Sequence, residues 1–110
     1  MRLFTYGTLK RGFGNNIYLQ GSNYIADAEL SGYDMYSIDG MYPAIVPGSG
    51  TIKGELWEID ERTLEGLDRL EREGEMYKRE YINETVVYVW MLGTAPFDRI
   101  KTNEWGQVCV

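Results

Sequence analysis

Only one stretch of this chain carries a helical pattern, and that restricts what it can fold into. Leu64, Leu67 and Leu70 recur three apart behind Asp60, a good N-cap residue, with Glu61 in the first turn where negative charge is favoured. The spacing predicts a helix from Asp60 to about Arg72, with Gly74 as a stop just beyond it. The rest of the chain reads as short β-prone segments broken by glycines and prolines. With 110 residues and 44% hydrophobic content there is enough apolar side chain for one compact core. A single domain over residues 1–110, of α+β class and mostly β, is the expectation.

The β segments follow from alternation and from their breakers. Arg2 to Tyr6 is aromatic and β-prone, and Gly7 ends it where a turn can expose main-chain N–H groups. A strand ending in Gly-Thr and followed by a polar loop is a plausible anion or carbonyl cradle built of backbone donors. Lys10 to Asn16 reads as a Gly- and Asn-rich loop, and Ile17 to Gln20 as a short helical turn before Gly21. Tyr24 to Ser37 suggests one or two strands with a break near Ser31-Gly32. Met41 to Gly48 suggests short strands separated by prolines, because proline cannot donate to a central ladder. Ile52 to Ile59 alternates as a half-buried strand. Tyr77 to Ile82 and Thr85 to Leu92 flank Asn83-Glu84 as a tight hairpin. From Gly93 the tail is irregular, with Trp105 and Val108 as expected anchors.

Composition narrows the chemistry mainly by exclusion. There is no histidine, so Ser-His-Asp triads, Cys-His dyads and His-ligated metals are ruled out. Cys109 is the sole cysteine; it cannot form an internal disulfide and has no histidine base. A formal net charge of −6 argues against a nucleic-acid surface and against an anionic membrane. No apolar run approaches membrane-spanning length and no signal-peptide profile precedes the first strand, so a cytoplasmic location is expected. Asn83-Glu84-Thr85 spells a glycosylation sequon, but in that setting it reads as a turn. An enzyme of this composition must work with carboxylates, tyrosines, lysines or backbone donors.

One carboxylate stands out on the helix. At about 100° per residue, Arg62, Glu65, Arg69 and Arg72 gather on the face away from the leucines. Glu71 falls about 20° from Leu64 and about 40° from Leu67, inside the apolar stripe, and Asp68 lies at its edge. Partial burial and the negative end of the helix would both raise the pKa of Glu71 toward neutrality, where a carboxyl can shuttle a proton. The competing expectation is that Glu71 bends out to solvent or pairs with Arg79 or Lys78.

Four segments in order resemble the γ-glutamylcyclotransferase-like (AIG2-like) superfamily, in its compact γ-glutamylamine cyclotransferase branch. They are Tyr6-Gly7-Thr8-Leu9 with Lys10-Arg11-Gly12 and Asn15-Asn16, then Tyr42 to Gly48, then Gly54 to Ile59, then Leu67-Asp68-Arg69-Leu70-Glu71 with Tyr77-Lys78-Arg79. The resemblance implies a small mixed β-barrel or sheet with one main helix and short helical turns. It implies that Glu71 is the catalytic acid/base and that Tyr6, Gly7, Thr8 and Leu9 bind the substrate. The implied partner is a small γ-glutamyl molecule, with no cofactor, metal, nucleic acid or membrane. The implied reaction is attack of the γ-glutamyl α-amine on its own γ-carbonyl, releasing 5-oxoproline and an amine or amino acid.

One departure matters. The family glutamate is commonly followed by glycine, whereas Arg72 and Glu73 precede Gly74 here, so Glu73 competes for the match. The spacing to Leu67-Asp68 and to Tyr77-x-Arg79 favours Glu71. The hairpin at Asn83-Glu84 is also tighter than usual and is expected to open or reshape one pocket wall. Tyr77, Tyr88 and Trp57 are expected to be core or pocket wall. The alternative function is a non-catalytic small-ligand or protein-interaction module on the same fold.

Overall fold

A computed structural model describes residues 1–106; Val108 and Cys109 lie outside them. One six-stranded mixed sheet, curled into a half-barrel, forms the frame. Its strands are β1 (Arg2–Thr5), β2 (Asn23–Ile38), β3 (Tyr42–Glu58), β4 (Tyr77–Ile82), β5 (Thr85–Trp90) and β6 (Asp98–Arg99), in the order β4-β5-β1-β3-β2-β6. The main helix, α1 (Glu61–Leu70), links β3 to β4, and a 3-10 helix spans Gly14–Leu19. The expected α+β class with one main helix holds. No helix among the described residues is long and apolar enough to cross a membrane.

β1 lies between β3, antiparallel to it, and β5, parallel to it. Alternation along these strands separates two apolar clusters, because successive side chains point to opposite faces. Leu3, Val86, Tyr88, Trp90 and Trp57 join Leu64 and Leu67 of α1 on one face. Phe4, Val87, Val89, Met35, Ile45 and Ile52 pack on the other, inside the curl. Gly54 has no room for a side chain, since a Cβ there would lie 2.4 Å from the Thr5 carbonyl oxygen. It lets β1 and β3 close tightly.

Three expectations change. The segments expected as short strands between prolines are one continuous β3, whereas Tyr24 to Ser37 lies within a single strand, β2, one of the two alternatives expected. Along Tyr42 to Pro47, β3 pairs only with β2, so a missing N–H costs no central ladder bond, and Pro47 sits beside the irregularity between Ser31 and Tyr33. The expected break at Ser31-Gly32 is that irregularity, with Gly32 at φ +93°. The 3-10 helix starts at Gly14, inside the expected loop, because Asn15 and Asn16 fold back: Asn15 Nδ2 donates to Thr8 Oγ1 and Asn16 Nδ2 to the Leu9 carbonyl. The tail is less irregular than expected. Beyond the pairing of β6 with β2, buried Asn103 accepts the Met35 N–H at its Oδ1 and the Lys53 N–H at its carbonyl. Trp105 packs on the inner cluster as an anchor.

Asn83 and Glu84 form the expected tight turn, both with positive φ (50° and 65°). The helix, however, stops earlier than the sequence suggests. Asp60 caps its start, accepting the Thr63 N–H. Glu71 is the C-cap, and Arg72, not Gly74, is the first left-handed residue beyond it, at φ 51°. The Glu73 N–H reaches the Asp68 carbonyl and the Arg72 N–H reaches that of Arg69, which is a Schellman closure. The position after Glu71 therefore demands the left-handed conformation, which glycine adopts most readily.

Candidate active site

The C-terminal end of β1 runs out under the C-terminus of α1, and the two frame a recess. Leu3 to Leu9 line one side, with Tyr42, Pro43, Glu71, Tyr77 and Tyr88 completing it around a volume of ≈ 40 Å³. Through Thr8, Tyr42, Glu71 and Tyr77 it adjoins an open groove of ≈ 150 Å³, whose other lining residues are Asn15, Leu70 and Met76. Glu71 thus stands where the two meet. All five residues singled out from the sequence, Tyr6, Gly7, Thr8, Leu9 and Glu71, are brought together at this recess.

Glu71 does not bend out to an ion pair. Arg79 Nη1 is taken by Asp68 Oδ2 at 2.5 Å, and Lys78 pairs with Glu80. Among the described residues no side chain or backbone group bonds the Glu71 carboxylate. Burial disfavours its charged form and pushes the carboxyl from 4.5 up to about 7. Glu73, the competing match, is exposed and accepts the Arg79 N–H outside the recess.

Three tyrosines surround Glu71, yet each hydroxyl is committed elsewhere. Tyr6 donates to the Tyr88 carbonyl, Tyr77 to the Pro43 carbonyl at 2.6 Å, and Tyr88 to Asp68 Oδ1 at 2.6 Å. Burial raises the pKa of all three, and the nearby Glu71 charge adds to the shift, so they stay neutral at any physiological pH. Their rings line the recess beside Glu71, and their hydroxyls supply it no donor. Asp68, bonded at once to Arg79 and Tyr88, ties the end of α1 to β4 and β5 and so fixes where Glu71 sits.

The loop after β1 is held by its carbonyls and side chains. The Gly7 carbonyl accepts the Lys10 N–H, that of Thr8 the Asn15 N–H, and that of Leu9 the Asn16 amide. The N–H groups of Gly7, Thr8 and Leu9, three residues that line the recess, make no hydrogen bond among the described residues. Gly7 is required for a reason invisible in the sequence: a Cβ would sit 2.7 Å from Pro43 Cγ. The loop is further pinned by Glu55, which accepts the Arg11 backbone N–H at 3.0 Å and Arg11 Nε at 3.1 Å.

A model of the family described as γ-glutamyl cyclotransferase, AIG2-like, matches residues 3–107. The chain belongs to that γ-glutamyl cyclotransferase family. Among its relatives is the Escherichia coli K12 γ-glutamylcyclotransferase family protein YtfP, 37% identical over 107 residues, or 96% of this chain and 94% of YtfP. The solution structure of E. coli ytfP matches with a TM-score of 0.79 at 34% identity, covering 96% of each chain. The crystal structure of Pyrococcus horikoshii PH0828 matches with a TM-score of 0.81 at 27% identity, covering 94% of this chain and 88% of that one.

In this γ-glutamyl cyclotransferase family member, sequence reasoning gave no role to Tyr42, Pro43, Asn15 and Met76. The Tyr42-Pro43 motif was the available signal; its place at the recess depends on β3 passing the end of β1, which no local pattern encodes. Tyr77 and Tyr88 are wall residues, and Trp57 is core. Asn83 and Glu84 line neither the recess nor the groove, while Tyr88, in the strand that follows them, lines the recess.

Proposed function

We propose that the chain is a γ-glutamylcyclotransferase that converts a γ-glutamyl amide to 5-oxoproline and a free amine. The observation that carries this is the unpaired, half-buried Glu71 carboxyl, facing a loop with three uncommitted N–H donors. The γ-glutamyl group lies under the Gly7–Leu9 loop, folded so that its α-amine meets its own γ-carbonyl; holding that geometry supplies much of the rate, because the step is already intramolecular. Ionised Glu71 takes a proton from the α-ammonium, freeing the nitrogen lone pair to attack the carbonyl carbon. Negative charge collects on the carbonyl oxygen, which the loop N–H groups stabilise; one such donor is typically worth ~3 kcal/mol. Protonated Glu71 then returns its proton to the leaving nitrogen as the C–N bond breaks, and the second proton lost by the attacking nitrogen passes by the same carboxyl to the released amine, which departs as its ammonium. A pKa of about 7 suits a group that must accept and donate at neutral pH.

The test is 5-oxoproline release by the wild-type chain and by Glu71→Gln, which keeps the shape and removes the proton acceptor. Turnover that falls by about 10² or more in the variant, with unchanged circular dichroism, is the expected result. Undiminished turnover would overturn the role given to Glu71. Wild-type protein that binds γ-glutamyl compounds without cyclising them would instead favour the non-catalytic ligand module.

A further inference from the structure

A second carboxylate, Glu55, lies outside the recess and takes no part in the chemistry above. It stands on β3 opposite Thr5, the last residue of β1, and is only 7% exposed. A carboxylate so buried needs donors, and this one has three. Its Oε1 accepts the Arg11 main-chain N–H at 3.0 Å and Trp57 Nε1 at 3.2 Å, while Oε2 accepts Arg11 Nε at 3.1 Å. Trp57 belongs to the core, so the carboxylate is steadied from the sheet. Glu55 therefore holds the loop at both ends. It is the ladder partner of Thr5, where the strand stops, and its side chain takes the main chain at Arg11. The bonds that the Gly7, Thr8 and Leu9 carbonyls accept come instead from Lys10, Asn15 and Asn16, within the loop or the 3-10 helix. Beyond Glu55 the Arg11 guanidinium lies 3.7 Å from the centre of the Tyr24 ring and donates to Asp27 Oδ1 at 3.1 Å.

We propose that Glu55 is a positioning residue for the reaction: through the Arg11 main chain it fixes the span from Thr5 to Arg11, and with it the arrangement of the Gly7–Leu9 N–H groups. The proposal deepens the cyclisation chemistry given above and rests on it. Donors that stabilise an oxyanion act by being in place before the charge develops, and a loop left to wander loses that alignment. The main-chain bond carries the constraint, because the Arg11 side chain is half exposed and able to rearrange, whereas its N–H is part of the loop itself. Glu55 must then supply reach more than charge. Glutamine at this position keeps an oxygen for the Arg11 N–H and for Trp57. Aspartate keeps the charge but withdraws it by roughly 1.5 Å, which breaks the bond. A residue needed only as the negative half of an ion pair with Arg11 would rank the two the other way.

The test compares wild type, Glu55→Asp, Glu55→Gln, Arg11→Ala and Arg11→Pro in 5-oxoproline release and in nitrogen NMR relaxation of the loop amides. Glu55→Asp should lose about tenfold or more in kcat with KM changed by less than about threefold, since the donors meet their charge only in the transition state. Its Thr8 and Leu9 order parameters should fall from about 0.85 to below about 0.6. Its pH–rate midpoint should stay near 7, because burial sets that of Glu71. Glu55→Gln and Arg11→Ala, which both keep the main-chain bond, should remain within about threefold of wild type in kcat. Arg11→Pro removes the N–H itself and leaves Glu55 in place, so it should behave as Glu55→Asp does and serves as the test should that variant not fold. Wild-type kcat or an unchanged loop in Glu55→Asp or Arg11→Pro would overturn the positioning role while leaving cyclisation standing, as would a Glu55→Gln variant as slow as Glu55→Asp. Absence of 5-oxoproline from the wild type would overturn the cyclisation reading, and this inference with it.

Discussion

At the scale of single residues, the site is defined by what Glu71 lacks. A carboxylate in the apolar stripe of a helix ordinarily finds a cation or an N–H group, since leaving it bare is costly. Here Arg79 is diverted to Asp68 and the three neighbouring hydroxyls are turned to carbonyls or to Asp68. The cost appears in the pKa, and it makes a stability prediction with a definite sign. Below about pH 4.5 Glu71 is neutral whether the chain is folded or not. As pH rises toward 7 the unfolded chain ionises first and the folded state loses stability, a loss complete above about 7. Glu71→Gln should therefore leave Tm unchanged near pH 4 and raise it at pH 8, by the equivalent of ~1–3 kcal/mol. Thermal melts across that range check it, and a variant less stable at pH 8 would contradict it. Gly7 makes the companion case. Gly7→Val must push against the Pro43 ring, so we expect a loss of ~1–3 kcal/mol together with weaker binding of 5-oxoproline by calorimetry.

At the scale of elements, the end of α1 decides where the Glu71 side chain points. Glu71 was visible in the sequence because a helix repeats every 3.6 residues, and the three leucines fix its phase. The stop was misplaced because Gly74 is the better left-handed residue on propensity alone, yet the Schellman bonds select Arg72. A non-glycine residue held left-handed costs roughly 1 kcal/mol, partly offset by the greater freedom of glycine in the unfolded chain. Arg72→Gly should accordingly stabilise the protein by about 0.5–1 kcal/mol in urea unfolding, with turnover retained. A destabilised variant would show that Arg72 contributes something beyond filling the turn. Asp68 has the opposite character. Its loss in Asp68→Ala frees Arg79 and the Tyr88 hydroxyl, which we expect to cost ~1–3 kcal/mol. With Arg79 then free to reach Glu71, the kinetic pKa should fall below 7. A variant whose pH–rate profile is unmoved would mean that Asp68 only braces the fold.

At the scale of the whole molecule, the sequence exposed the parts that repeat locally and hid those set by distance. Strand alternation, the hairpin turn and the helix face are readable because each follows from a few neighbouring residues. The continuity of β3 through Pro43 and Pro47 was hidden because it depends on which edge of the strand is unpaired, a property of the assembled sheet. The recess was half visible. Tyr6 to Leu9 and Glu71 lie more than sixty positions apart, and the motif order linked them, but the Pro43 ring that makes Gly7 obligatory joins them only after folding. The central claim is that this assembly turns an ordinary glutamate into a group titrating near neutral pH and makes that group the proton shuttle. The most direct measurement is a carbon NMR titration of the Glu71 side-chain carboxyl in the folded protein, set beside the pH dependence of kcat/KM for 5-oxoproline release. The account predicts a midpoint near 7 in both, with the rate falling about tenfold per pH unit below it. A Glu71 midpoint near 4.5, or a rate that ignores the midpoint observed, would contradict it.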